Sequence, residues 1–120
     1  MSHEARESAV QEAIHCARAV LAGEIDVLEA CVTLHKLADA VVPSWVEDPD
    51  FQIFGAIASE CDGIPLGEAR KQWKDQALAR IDADAQRYSQ IVREEVVKAC
   101  QNVVSRFAVT QGHPANGSAV

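Results

Sequence analysis

The chain has 120 residues, of which 48% are apolar, 24% charged and 5% aromatic, and it carries a net charge of −7. That length makes one domain with room for a core that needs no metal or disulfide, and an aromatic-poor, aliphatic-rich composition suits packed helices better than a β-sandwich. The acidity argues against nucleic acid as a partner, and no segment approaches the ~20 apolar residues of a membrane span.

Between Glu4 and Ala22, Val10, Ile14, Ala17 and Leu21 recur at helical spacing, and Gly23 supplies a stop. Asp26 and Glu29 then form a D-x-x-E capping box, each side chain accepting from the other's amide, so that a second helix starts near Val27. On a helical wheel, Glu29, Thr33, Lys36 and Ala40 share one narrow sector and apolar residues fill the rest, which makes this the most buried helix. Pro43 ends it, and Trp45, in the connection from Ser44 to Glu47, is expected to lie over the core as a lid.

Asp48-Pro49 pairs an N-cap with proline at the first helical position, which predicts a third helix to about Cys61. A strand competes for "FQIFGAIA", but the proline at its start and the lack of alternation favour the helix. Asp62-Gly63 and Ile64-Pro65 are turn pairs, and residues 66–73 suit a short helical turn. Asp75 can then cap a long helix through about Phe107, with a seam of Leu78, Ile81, Ala85, Tyr88, Val92, Val96, Ala99, Val103 and Phe107. Such a helix should overhang its shorter neighbours and offer an apolar end for a homodimer. The expected architecture is an all-α antiparallel bundle of about four main helices over residues 1–108, with a flexible tail at 109–120.

Charge is unevenly spread. Residues 24–68 hold ten acids against the single base Lys36, whereas residues 69–107 hold eight bases against five acids. The acidic middle should attract a basic surface. The basic residues of the long helix, Arg80, Arg87, Arg93, Lys98 and Arg106, alternate with acids and read as a solvated face.

Four constellations could carry chemistry. Glu60, Asp62, Glu68, Arg70 and Lys71 cluster at the turn after the third helix, where a carboxylate could act as a base or hold a hard cation, or could simply pair with Arg70 to fix the corner. Their spacing matches no metal loop. His15, Cys16, Cys31 and His35 could come level across a helical hairpin, but His15 and Cys16 fall off the apolar stripe, so no metal is expected. Ser59 and Cys61 lack a neighbouring histidine, and Gly63 and Gly67 form no phosphate loop. The four cysteines, Cys16, Cys31, Cys61 and Cys100, contain no C-x-x-C pair and read as reduced core thiols.

"GEIDVLEAC", "DPDFQIFGAIASECDGIPLGEARKQW" and "ALARIDAD" resemble a group of short bacterial proteins known as a domain of unknown function, over about residues 13–107. The resemblance rests chiefly on D-F-x-x-F-x-x-I-x-S-E-x-D-x-x-P-x-G-x-x-R-x-x-W, here Asp50 to Trp73. It implies no activity, cofactor or catalytic residue. In size, acidity and helical build the group is similar to immunity proteins that neutralise bacterial toxins.

The expectation is therefore a non-enzymatic, acidic inhibitor of the immunity or antitoxin type, without cofactor, binding a basic effector protein. Glu47, Asp48, Asp50, Glu60, Asp62, Glu68 and Arg70 would supply the charged contacts, and Trp45 or Trp73 an anchor. The alternatives are a small enzyme or ligand-binding protein using the Glu60/Asp62/Arg70 corner, and a self-associating structural bundle. "MSHEARESAV" has neither the basic start nor the apolar stretch of a signal peptide, which points to the cytoplasm.

Overall fold

Four α-helices order the described residues: α1 (His3–Leu21), α2 (Val27–Val41), α3 (Pro49–Glu60) and α4 (Asp75–Thr110), with a 3-10 turn at Trp45–Glu47 between α2 and α3. The computed structural model describes residues 2–62, 71 and 73–110, with 109 and 110 described by backbone alone, and no strand occurs among them. Of the short helical turn expected at 66–73, residues 66–70 and 72, with Glu68 and Arg70, lie outside the described residues, as does the tail from 111; at 109 and 110, α4 is still helical.

Local chemistry explains the helix boundaries. Ser2 Oγ accepts from the Ala5 amide at 3.1 Å, starting α1. At its end Gly23 takes φ +74°, which lets the Glu24 and Gly23 amides reach back to the Ala19 and Val20 carbonyls. Asp26 caps α2 by accepting from the Leu28 and Glu29 amides at 3.0 and 3.2 Å. This is the Asp26 half of the expected capping box. The Glu29 side chain instead lies near Cys16, whose thiol its charge helps to raise. Asp48 caps α3 by the same device, accepting from Asp50 and Phe51 with Pro49 following it.

Arg6 of α1 donates through Nη2 to the Val41 carbonyl at the far end of α2, 3.0 Å away, so the two helices run antiparallel. Arg106 and Asn102 of α4 meet Asp48 and Asp50 at the start of α3, so this pair also runs antiparallel. The helices enclose one core. Val10, Ala13 and Ala17 meet Leu28, Cys31 and Leu34, with Phe51 and Phe54 of α3 and Val96, Cys100 and Val103 of α4 closing around them. Phe51 packs edge-to-face against both Phe54 and Phe107, at 5.3 and 6.5 Å between ring centroids.

On α2 only Lys36 and Asp39 are exposed, as expected of the most buried helix. On α1 the buried stripe is wider and turned relative to the sequence reading: Ala9, Ala13 and Cys16 belong to it, while Leu21 is 41% exposed. The reason is that α1 packs against both α2 and α4, so its inward face covers more than one narrow seam.

At ~1.5 Å per residue the 36 residues of α4 span about 54 Å, close to the 52 Å longest dimension of the molecule. Its core-facing residues are buried from Ser89 onward, whereas Leu78, Ile81, Ala85 and Tyr88 are half-buried. The N-terminal part of the helix is thus less enclosed by the described residues than the rest, with Ala85 and Tyr88 still packed against the core.

Each of α1, α2 and α4 contributes one cysteine to the core, and Cys61, the residue that ends α3, contributes the fourth. All four are free thiols. Burial pushes Cys16 up to about 11, aided by Glu29, and Cys100 up to about 12, aided by Cys16 and Asp50. Cys31 is raised further still, by burial and then by its neighbours Cys100, Cys61 and Cys16. Thiols in this state are packing groups rather than nucleophiles.

Candidate functional site

The acidic residues of the middle segment fall at the two ends of α3. At the N-terminal end, Asp50 is buried at 7% exposure and would be costly as an isolated charge. It is matched from α4: Asn102 Nδ2 donates to Oδ1 at 3.0 Å and Arg106 Nη1 donates to Oδ2 at 3.1 Å. Arg106 also forks onto Asp48, with Nη2 to Oδ2 at 2.8 Å and Nη1 to Oδ1 at 3.0 Å. Its guanidinium carbon sits 4.9 Å from the Phe107 ring centroid.

Burial alone would raise the Asp48 carboxyl, but the Arg106 hydrogen bond, the Phe51 and Asp50 amides and the guanidinium charge outweigh it and hold the group below its usual range. Arg106 is raised in turn, chiefly by its hydrogen bond to Asp48. These carboxylates also face the positive end of the α3 dipole, where negative charge is favourable. The network is a clamp joining α3 to α4, and it leaves Asp48 and Asp50 already paired.

Next to the clamp, Trp45 is seated rather than presented. Its indole Nε1 donates to Asp39 Oδ1 at 2.8 Å, and its ring meets His35 edge-on at 5.0 Å. Beneath it, a Cβ on Gly55 would lie 3.0 Å from the indole and 3.3 Å from His35 Nδ1, so the absence of a side chain at 55 is what admits the ring. His35 Nδ1 is buried there without a hydrogen-bond partner among the described residues. Glu47, in the same connection, is exposed.

The C-terminal end of α3 is arranged differently. Glu60 is its last residue and Asp62 lies two positions on; both are exposed, and neither has an ion pair among the described residues. The last turn of α3 holds no basic residue, so Glu60 faces the negative end of the helix dipole with no compensating ion pair among the described residues. Asp26 and Glu60 converge here from two helices: after burial, their charges are the causes that raise the Cys61 thiol. Glu60 also acts on the Tyr88 hydroxyl of α4, which burial raises first. Glu24 is exposed in the same α1–α2 connection as Asp26, and Leu21 is exposed just before it. Trp73 is 43% exposed, two residues ahead of α4.

Of the residues expected to form a recognition surface, Glu60 and Asp62 are thus open and adjacent, Trp73 is open, and Glu47 is open but separate. Asp48, Asp50 and Trp45 are engaged within the protein; Glu68 and Arg70 lie outside the described residues. The sequence reading missed the roles of Asn102 and Arg106. Arg106 was assigned to a solvated face, yet it closes the clamp. The one available signal was their four-residue spacing, which places both on one side of α4. Among the described residues, no group of three His, Cys, Asp or Glu side chains is placed to hold a metal, and no helix is long and apolar enough to cross a membrane.

No curated protein and no solved structure matches the chain. Residues 1–103 match a family model described as "Protein of unknown function (DUF2489)", which is continuous from α1 through most of α4, and the chain belongs to that family.

Proposed function

We propose that this protein is a non-enzymatic interaction protein, an inhibitor of the immunity or antitoxin type, whose acidic end docks on the basic surface of an effector protein. The observation that supports the reading is the position of Glu60 and Asp62. They sit at the wrong end of α3 for their charge, exposed and without an ion pair among the described residues, and Glu60 shares its influence on Cys61 with Asp26 of the α1–α2 connection. Carboxylates placed against a helix dipole lower the stability of the free protein. A basic partner removes that cost on binding.

In this reading the acidic end steers encounter over a distance set by the Debye length, and so raises the association rate more than the intrinsic affinity. Apolar area comes from Leu21 and Trp73, the exposed large apolar residues flanking the two connections at this end of the chain path.

The test is co-isolation from the source cells at low ionic strength, followed by growth assays with the captured protein. A basic partner whose toxicity is relieved by co-expression of this chain, and not by the Glu60→Gln/Asp62→Asn variant, supports the reading. A partner released only by removing other residues, or no partner at low salt, overturns it.

A further inference from the structure

Toward the other end of α3 lies a cleft of about 300 Å³, between the first turns of α3 and the face of α4 that carries Glu95, Lys98, Ala99 and Asn102. We propose that this cleft binds a small zwitterion, a free α-amino acid with an apolar side chain. The proposal is independent of the effector-binding reading, since it uses neither Glu60 nor Asp62.

Size sets the first limit. The cleft is at the low end of the ~300–1,000 Å³ range of ligand sites, which suits a molecule of amino-acid dimensions rather than a nucleotide or a cofactor. Its walls set the second. Pro49, Ile53 and Ala99 give an apolar surface, and the buried Asp50 and the exposed Asn102 give a polar one. Asp50 accepts one hydrogen bond from Asn102 and one from Arg106, which leaves about two of the roughly four acceptor sites of its carboxylate. Glu95 and Lys98 stand three residues apart on α4, both exposed, and neither forms an ion pair among the described residues. Opposite charges at that spacing commonly pair with each other. Here they flank the cleft unpaired.

Charge selects among ligands. A simple cation would be opposed by Lys98 in the cleft and by Arg106 behind Asp50. A simple anion would be opposed by Glu95 and Asp50. A wholly apolar ligand would strip water from these groups and return nothing to them. A zwitterion satisfies both signs: its ammonium faces Glu95 and Asp50, its carboxylate faces Lys98, and its side chain lies on Ile53, Pro49 and Ala99.

The experiment is an amide-resolved NMR titration of the full chain with three molecules of one shape: L-leucine, isoamylamine, which lacks the carboxylate, and 4-methylpentanoate, which lacks the ammonium. Leucine is expected to shift the Ile53, Ala99 and Asn102 amides at millimolar concentration, and each single-charge analogue to bind at least tenfold more weakly. Lys98→Met should remove the advantage of leucine over isoamylamine, and Glu95→Gln its advantage over 4-methylpentanoate. Both substitutions are at exposed positions, so an unchanged spectrum elsewhere reports an intact fold. Absence of leucine-dependent shifts at these amides, equal binding of the three molecules, or leucine binding unaltered by both variants overturns the proposal.

Discussion

The two ends of α3 carry the same kind of residue in opposite circumstances. At the N-terminal end Asp48 and Asp50 face the positive pole of the helix and are neutralised by Arg106 and Asn102. At the C-terminal end Glu60 and Asp62 face the negative pole and are exposed, with no basic residue in the last turn. Net charge treats all four as one acidic tract. Their environments divide them into a pair that holds the bundle together and a pair that works against it, and only the second is without an ion pair among the described residues.

The largest effect should come from breaking the paired end. Arg106→Met leaves Asp50 buried beside a neutral side chain, and because the Arg106 side chain is 38% exposed the expected loss is about 2–3 kcal/mol, below the ~3–5 of a fully buried pair. Urea denaturation measures it. A loss under 0.5 kcal/mol, on the scale of about 0–1 kcal/mol for surface pairs, would make the clamp an ordinary surface contact.

Asp48→Ala removes both the α3 cap and one limb of the clamp, and should cost about 1–2 kcal/mol. Its pH dependence gives a second readout. The Asp48 carboxyl is held below its unfolded value, so its contribution is fully present above about pH 4 and is lost as pH falls through the lower native value. Wild type should lose more stability than Asp48→Ala over that acidic window, and parallel curves would contradict the assignment.

At the opposite end the sign reverses. Glu60→Gln should raise stability by about 0.3–1 kcal/mol by removing charge from the C-terminus of α3, while weakening effector binding. Destabilisation on this substitution would mean that Glu60 is a structural group and that the contrast between the ends is false. The smallest effect is expected at Glu47, exposed in the Trp45–Glu47 turn: Glu47→Gln should change stability by less than about 0.5 kcal/mol.

The helices were legible because their punctuation is local. Asp26, Asp48-Pro49, Gly23 and Pro43 each act on amides or dihedrals within a few residues, and α2 and α3 begin where those signals place them. The clamp was not legible, because Arg106 meets Asp48 across 58 positions and nothing in the local pattern separates it from Arg87 or Arg93. Trp45 was readable as a lid, but its seat was not, since it depends on Gly55 lacking a side chain under the indole. The inward turn of Cys16 and the exposure of Leu21 likewise follow from α1 meeting two helices, which a single-stripe pattern does not capture.

The most direct test of the central claim is the salt-dependent affinity of the co-isolated effector for three forms of the protein: wild type, Glu60→Gln/Asp62→Asn, and Glu47→Gln. The expected result is at least tenfold weaker binding for the double variant at low salt, a flatter salt dependence for it, and no change for Glu47→Gln. Equal affinity of wild type and the double variant, with equal salt dependence, would contradict the claim that the exposed C-terminal end of α3 is the docking surface.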